Sequence, residues 1–93
     1  MKEFALANAR WFVLRFLLDQ RCFSERWHQV TEETAVKHVS REFGDCDRKA
    51  AGRGLSQLVA QGLVCVKKKH YGTHVWLNHT RLDEVKRMLL APP

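Results

Sequence analysis

The stretch Leu55-Ser56-Gln57-Leu58-Val59-Ala60-Gln61-Gly62-Leu63-Val64 changes its hydrophobic period partway along, and that change decides the fold. Leu55, Leu58 and Val59, with Ala51 one turn earlier, follow the spacing of an α-helix with one buried stripe. Gly62 is the residue type that most readily ends such a helix. Beyond it, Leu63-Val64-Cys65-Val66 and Val75-Trp76-Leu77 are two β-rich runs separated by Lys67-Lys68-Lys69-His70 and Tyr71-Gly72. Two such runs around a glycine-containing turn read as a hairpin, so the helix leads directly into a β-ribbon.

Working upstream, Asp45 or Asp47 caps this helix after a turn of only a few residues. The preceding helix starts at Thr31 as N-cap, and Glu32 and Glu33 complement the dipole of its first turn. Val36, Val39 and Phe43, with Ala35 beside them, form its apolar face, and Gly44 stops it. Trp27-His28-Gln29-Val30 alternates as a short strand, after a polar, irregular segment at 20–26. From Phe4 to Leu18 the chain has no Gly or Pro, and its polar positions Asn8, Arg15 and Asp19 fall on one narrow stripe. A helix that apolar around the rest of its circumference is buried on more than one side. Two readings fit it: a central core helix, or a core helix whose second side meets another subunit. Downstream, Thr80-x-x-Asp83 has the form of a capping box opening a last helix with Leu82, Val85 and Leu89 on one face. The expected boundaries are helices at about 4–19, 31–43, 47–61 and 81–90 and a hairpin at about 63–77, in a single domain over 1–93.

This order of helix, short strand, helix, tight turn, helix, strand, turn, strand and helix resembles the winged helix-turn-helix. The pattern L-x-x-L-x-x-x-G-L-V over residues 55–64 is similar to the one with which many winged-helix regulators pass from recognition helix to wing. The resemblance covers roughly residues 27–78 and fits small prokaryotic and viral regulators of the MarR and ArsR type in general. It implies an α+β fold, mainly α with a small β-hairpin. It also implies that the third helix reads double-stranded DNA and that the hairpin is the wing.

The charge distribution points the same way. Of the net +6, residues 45–77 carry +4, from Arg48, Lys49, Arg53, Lys67, Lys68 and Lys69 against Asp45 and Asp47. Residues 1–44 and 78–93 carry +1 each. A basic excess confined to one third of the chain is the footprint of a nucleic-acid-contacting face. With Leu55, Leu58 and Val59 inward, the outward face of the third helix holds Arg48, Lys49, Gly52, Arg53, Ser56 and Gln57. Arg pairs bidentately with guanine, Gln with adenine, and Ser with base edges or phosphate. Wing contacts are expected from Lys67, Lys68, Lys69, His70, Tyr71, Thr73 and His74, where lysines bind phosphate without reading sequence. The structural alternative is a solvated, charged hairpin that resists edge-to-edge pairing. Gly52 and Gly54 each cost about 1 kcal/mol in a helix relative to Ala. Close packing of the second helix on the third is expected to explain Gly54; Gly52 is open between packing and close approach to DNA.

The expected protein is therefore a homodimeric, sequence-specific DNA-binding transcriptional regulator. Phe4, Trp11 and Leu18 of the first helix and Leu82, Val85, Leu89 and Leu90 of the last form the expected dimer face. A winged-helix module devoted to protein–protein contact is the competing reading, since fold does not fix function. No Gly-rich phosphate loop, nucleophile elbow or paired carboxylates support an enzyme. No cofactor, small-molecule ligand or metal is expected. Cys65, His70 and His74 are close in sequence, but they flank a turn and lack a fourth ligand for a structural zinc. Cys22, Cys46 and Cys65 are odd in number and contain no C-x-x-C, which fits reduced thiols. Cys46, near a helix N-terminus, is the thiol placed for a redox switch. No segment has the roughly 20 apolar residues of a membrane span. Asn8, Arg10 and Arg15 interrupt any leader-like core, so a cytoplasmic location is expected, nucleoid-associated or in a host cell.

Overall fold

The most apolar segment forms the longest helix: α1 spans Lys2–Asp19 in the computed structural model. The structure describes residues 2–23, 30–42, 46–70 and 72–91, with side chains from Asn8 onward. The side chain of Phe4, residues Trp27 to Gln29 of the expected strand, Phe43, Gly44 and Asp45, and Tyr71 of the hairpin turn lie outside these. After α1 come β1 (Val30–Thr31), α2 (Glu32–Glu42), α3 (Arg48–Ala60), β2 (Val64–Lys69), β3 (Gly72–Leu77) and α4 (Leu82–Leu89). A 3-10 turn at His79–Arg81 precedes α4. The protein is mainly helical, with one antiparallel three-stranded sheet in the order β1-β3-β2.

Local chemistry sets the element ends. Thr31 Oγ1 accepts from the Thr34 N–H at 3.1 Å and caps α2. Asp47 Oδ1 accepts from the Ala50 N–H at 2.7 Å and caps α3. At the other end of α3, the Leu63 N–H reaches Leu58 O and the Gly62 N–H reaches Val59 O, both at 3.0 Å. This is the Schellman arrangement, and it requires left-handed backbone at Gly62, whose φ is +79°. Leu58 and Leu63, bracketing the motif, are both buried. The L-x-x-x-G-L pattern is thus a helix stop closed by its own hydrophobic contact.

The start of α4 departs from expectation. Thr80 is not its N-cap; Asn78 Oδ1 instead accepts from the Thr80 N–H at 3.2 Å and caps the 3-10 turn. Arg81 then stands at the α4 cap position without a side-chain cap bond. The reason lies in long-range bonding. Asn78 Nδ2 donates to Gly62 O and the Asn78 N–H to Leu63 O, both at 2.9 Å, so Asn78 is fixed against the end of α3. Arg81 adds a bond to Gln61 O and pairs with Glu84 through Nε and Nη2 at 2.9 Å.

The core runs through α1, which packs on α2, α3, α4 and β3. Ala9, Val13, Leu14, Phe16 and Leu17 are buried there, beside Val39, Leu55, Leu58, Val75 and Leu77. Val85, expected at a dimer face, is instead fully buried in this chain's own core. Its place on the inner side of α4 against α1 commits it to intrachain packing. Trp11, Leu18, Leu82 and Leu89 are half-buried. Leu18, Leu82 and Leu89 pack against the same cluster. Of the expected dimer face, Leu90 stands out in solvent at 82% exposure, with Met88 at 37% close by in sequence. Most of the apolar surplus of α1 is therefore consumed by neighbouring elements. Among the described residues, no helix is long and apolar enough to cross a membrane.

Candidate functional site

The outward face of α3 assembles as its periodicity requires. Arg48, Lys49, Arg53 and Ser56 are exposed, and Gly52 and Gln57 are half-buried. All six line one shallow depression of about 520 Å³. Among the described residues, no ion pair neutralises Arg48, Lys49 or Arg53. Gly52 sits open in the middle of the row: a Cβ there would meet nothing within 4 Å.

Gly54, two residues on, points the opposite way. A Cβ at this position would lie 3.0 Å from Arg10 N and 3.1 Å from Ala9 C, both backbone atoms of α1. Packing explains Gly54, as expected, but the helix pressed against it is α1 and not α2. Close approach there also delivers a residue the sequence did not flag. Arg10 donates to Gln57 Oε1, tying the end of the outward row to α1. Gln57 is thus partly engaged within the chain, where it was expected to be free.

Strand geometry divides the basic hairpin. In β3, Val75 and Leu77 are buried, so Thr73 shares their face and His74 and Trp76 take the other. The register pairs Lys68 with Thr73, Lys67 with His74 and Lys69 with Gly72. Lys68 therefore lies on the helix-facing side and Lys67 and Lys69 on the opposite side. Thr73 and Gly72 border a second depression, of about 440 Å³, together with Arg48, Gly52, Glu32 and Lys37. Lys68 thus shares a sheet face with Thr73, which borders Arg48 and Gly52 there, and Lys37 adds a further cation from α2. His70 is exposed at the turn. His74 departs from the expected set of contacts. Both ring nitrogens are buried without a hydrogen-bond partner among the described residues, on the central strand between Thr31 and Lys67. It cannot donate to a phosphate from there.

Two carboxylates from the first turn of α2 reach this surface, Glu33 at the second depression and Glu32 at both. Glu32, at the start of α2, lines both depressions and a smaller one of about 220 Å³ beside Leu55, Val59, Val66 and Val75. In sequence it lies 16 residues or more from every α3 residue it borders, and periodicity does not reveal such a neighbour.

Cys46, the thiol placed for a redox switch, packs in the core with Cys22. Cys46 is 2% exposed. Burial first, and the adjacent Asp47 carboxylate second, push its pKa up, which works against thiolate formation. Burial also raises the Cys22 and Cys65 thiols. Among the described residues, no three His, Cys, Asp or Glu side chains gather to hold a metal. In comparisons with protein-family models, curated proteins and solved structures, the chain matches none.

Proposed function

We propose that the protein is a winged helix-turn-helix transcriptional regulator that binds double-stranded DNA sequence-specifically, as a homodimer, in the cytoplasm. In this reading α3 is the recognition helix and β2–β3 the wing. The element order, the Schellman exit of α3 into the hairpin and the small antiparallel sheet support it.

The observation that carries the reading is the charge on the first turn of α3. Arg48 and Lys49 stand at the positive end of the helix dipole, beside the capping carboxylate of Asp47 and with no acidic residue in the turn itself. A cation so placed is disfavoured by about 0.3–1 kcal/mol, and a further anion brought by a partner relieves it. Arg53 continues the same face, and Gly52 keeps it low enough for close approach. A major groove about 12 Å wide admits one helix presenting such a row of donors. Lys37 and Arg10 lie beside that row and Lys68 on the sheet face it shares with Thr73, where they can serve as contacts to the flanking phosphates. In a dimer the two α3 helices would enter successive major grooves about 34–36 Å apart, on a palindromic site. Leu90 and Met88, with the rims of Leu82 and Leu89, are the surface of α4 left for the partner subunit.

Fluorescence anisotropy with mixed duplexes across a salt series tests this directly. Affinity should fall with a log–log slope of roughly −0.9 per phosphate neutralised. Lys68→Ala should weaken binding to every sequence alike and flatten that slope by about one unit. Absence of any complex at low salt would overturn DNA binding in favour of a protein-contact module.

A further inference from the structure

Glu32 stands where a surface built only to hold phosphate would carry no carboxylate. It is the first residue of α2 and half-buried. It borders the α3 row at Arg48, Gly52 and Ser56. Among the described residues, no hydrogen bond or ion pair engages its side chain. Glu33, beside it, also complements the α2 dipole and lines the second depression with Arg48 and Gly52, but it is exposed and lies outside the one that holds Lys49, Arg53, Ser56 and Gln57. The dipole therefore accounts for a carboxylate in this turn, not for one that borders the whole α3 row.

The missing side chain of Gly52 opens the row between Arg48 and Ser56 into a notch, and Glu32 borders it. An ionised carboxylate only accepts hydrogen bonds. On the major-groove edge, guanine and thymine oppose it with their own acceptors, and adenine sets its N7 acceptor beside the N6 amino group. Cytosine offers the N4 amino group with no competing acceptor. Its paired guanine offers O6 and N7, which suit the guanidinium of Arg48 on the same notch.

The geometry points to Glu32 as a specificity-determining residue that accepts from the cytosine N4 amino group of a C·G pair, with Arg48 donating to the guanine. This rests on the DNA-binding reading above and adds a base preference to it. Glu32 admits a base edge and repels phosphate, so it lowers affinity for duplexes in general and restores it where a C·G pair stands opposite.

Selection from random duplexes, followed by competition binding, tests the assignment with wild type, Glu32→Gln, Glu32→Ala and Glu33→Gln. The wild-type motif should contain a C·G pair whose replacement weakens binding on the order of tenfold or more. Both Glu32 variants should lose that discrimination, keep the rest of the motif and keep the salt slope, while Glu33→Gln retains the full motif. The glutamine variant preserves size, and a thermal melt establishes that it is folded. An unchanged motif in both Glu32 variants would overturn the assignment, including where Glu32→Ala binds every sequence more tightly by the same factor. Either result leaves DNA binding intact, whereas a wild-type protein that binds no duplex removes the underlying reading and this assignment with it.

Discussion

Gly52 and Gly54 lie two residues apart on one helix and serve opposite surfaces. At Gly54 the absent side chain is occupied by another helix, because the α1 backbone passes within 3.0–3.1 Å of where a Cβ would stand. At Gly52 the space remains open, in the middle of a basic row with no ion pair among the described residues. The same helix penalty, about 1 kcal/mol per glycine, is thus offset on one side by packing already present in the fold. On the other side nothing in the chain offsets it. A cost left unbalanced within the domain is what a surface reserved for an external partner looks like.

The contrast can be broken most forcefully from the inner face. Leu58 is completely buried, so Leu58→Ala should cost about 2–5 kcal/mol, read from the urea midpoint, without altering the base preference of the folded protein. A shift in that preference would mean the two faces are not independent. Arg53→Ala is the outer counterpart. It should relax sequence preference by about 1–3 kcal/mol in binding while leaving the melting temperature nearly unchanged. Gly54→Ala forces α1 away; overpacking of about 1–3 kcal/mol exceeds the helix-propensity gain and lowers stability on balance. Were this variant more stable, the tight α1–α3 approach would be refuted. The smallest effect has the opposite sign: Gly52→Ala should raise stability by about 0.5–1 kcal/mol. It should also weaken duplex binding, and calorimetry with anisotropy on one sample reads both quantities.

What was legible in the sequence was what depends on near neighbours. Thr31 and Asp47 cap through bonds three residues long. Gly62 ends α3 through bonds to Val59 and Leu58. The features missed all depend on distant chain. Gly54 advertises a close contact but not its partner, and the α1 residues that meet it, Ala9 and Arg10, lie more than 40 residues upstream. The capping signature at Thr80 was locally sound and lost to Asn78, which bonds across to Gly62 and Leu63. Three consecutive lysines read as one basic cluster until strand pairing places Lys68 on one face and Lys67 and Lys69 on the other. His74 looked like a surface donor because composition does not say which strand is central. Val85 looked available to a partner because an amphipathic face has the same pattern whichever chain covers it.

The hairpin leaves and rejoins the helices through a sealed neck. Leu63 O accepts from the Asn78 N–H and Gly62 O from Asn78 Nδ2, each at 2.9 Å, so the chain closes on itself at the base of the ribbon. The turn end of the ribbon, around Lys69 and His70, thus lies beyond a base that is already closed and packed into the core. Changes to the ribbon's outer half near His70 need not propagate into the helical body. In engineering terms it is an interchangeable cartridge: length and charge at the far end can be varied while the socket that holds it stays the same.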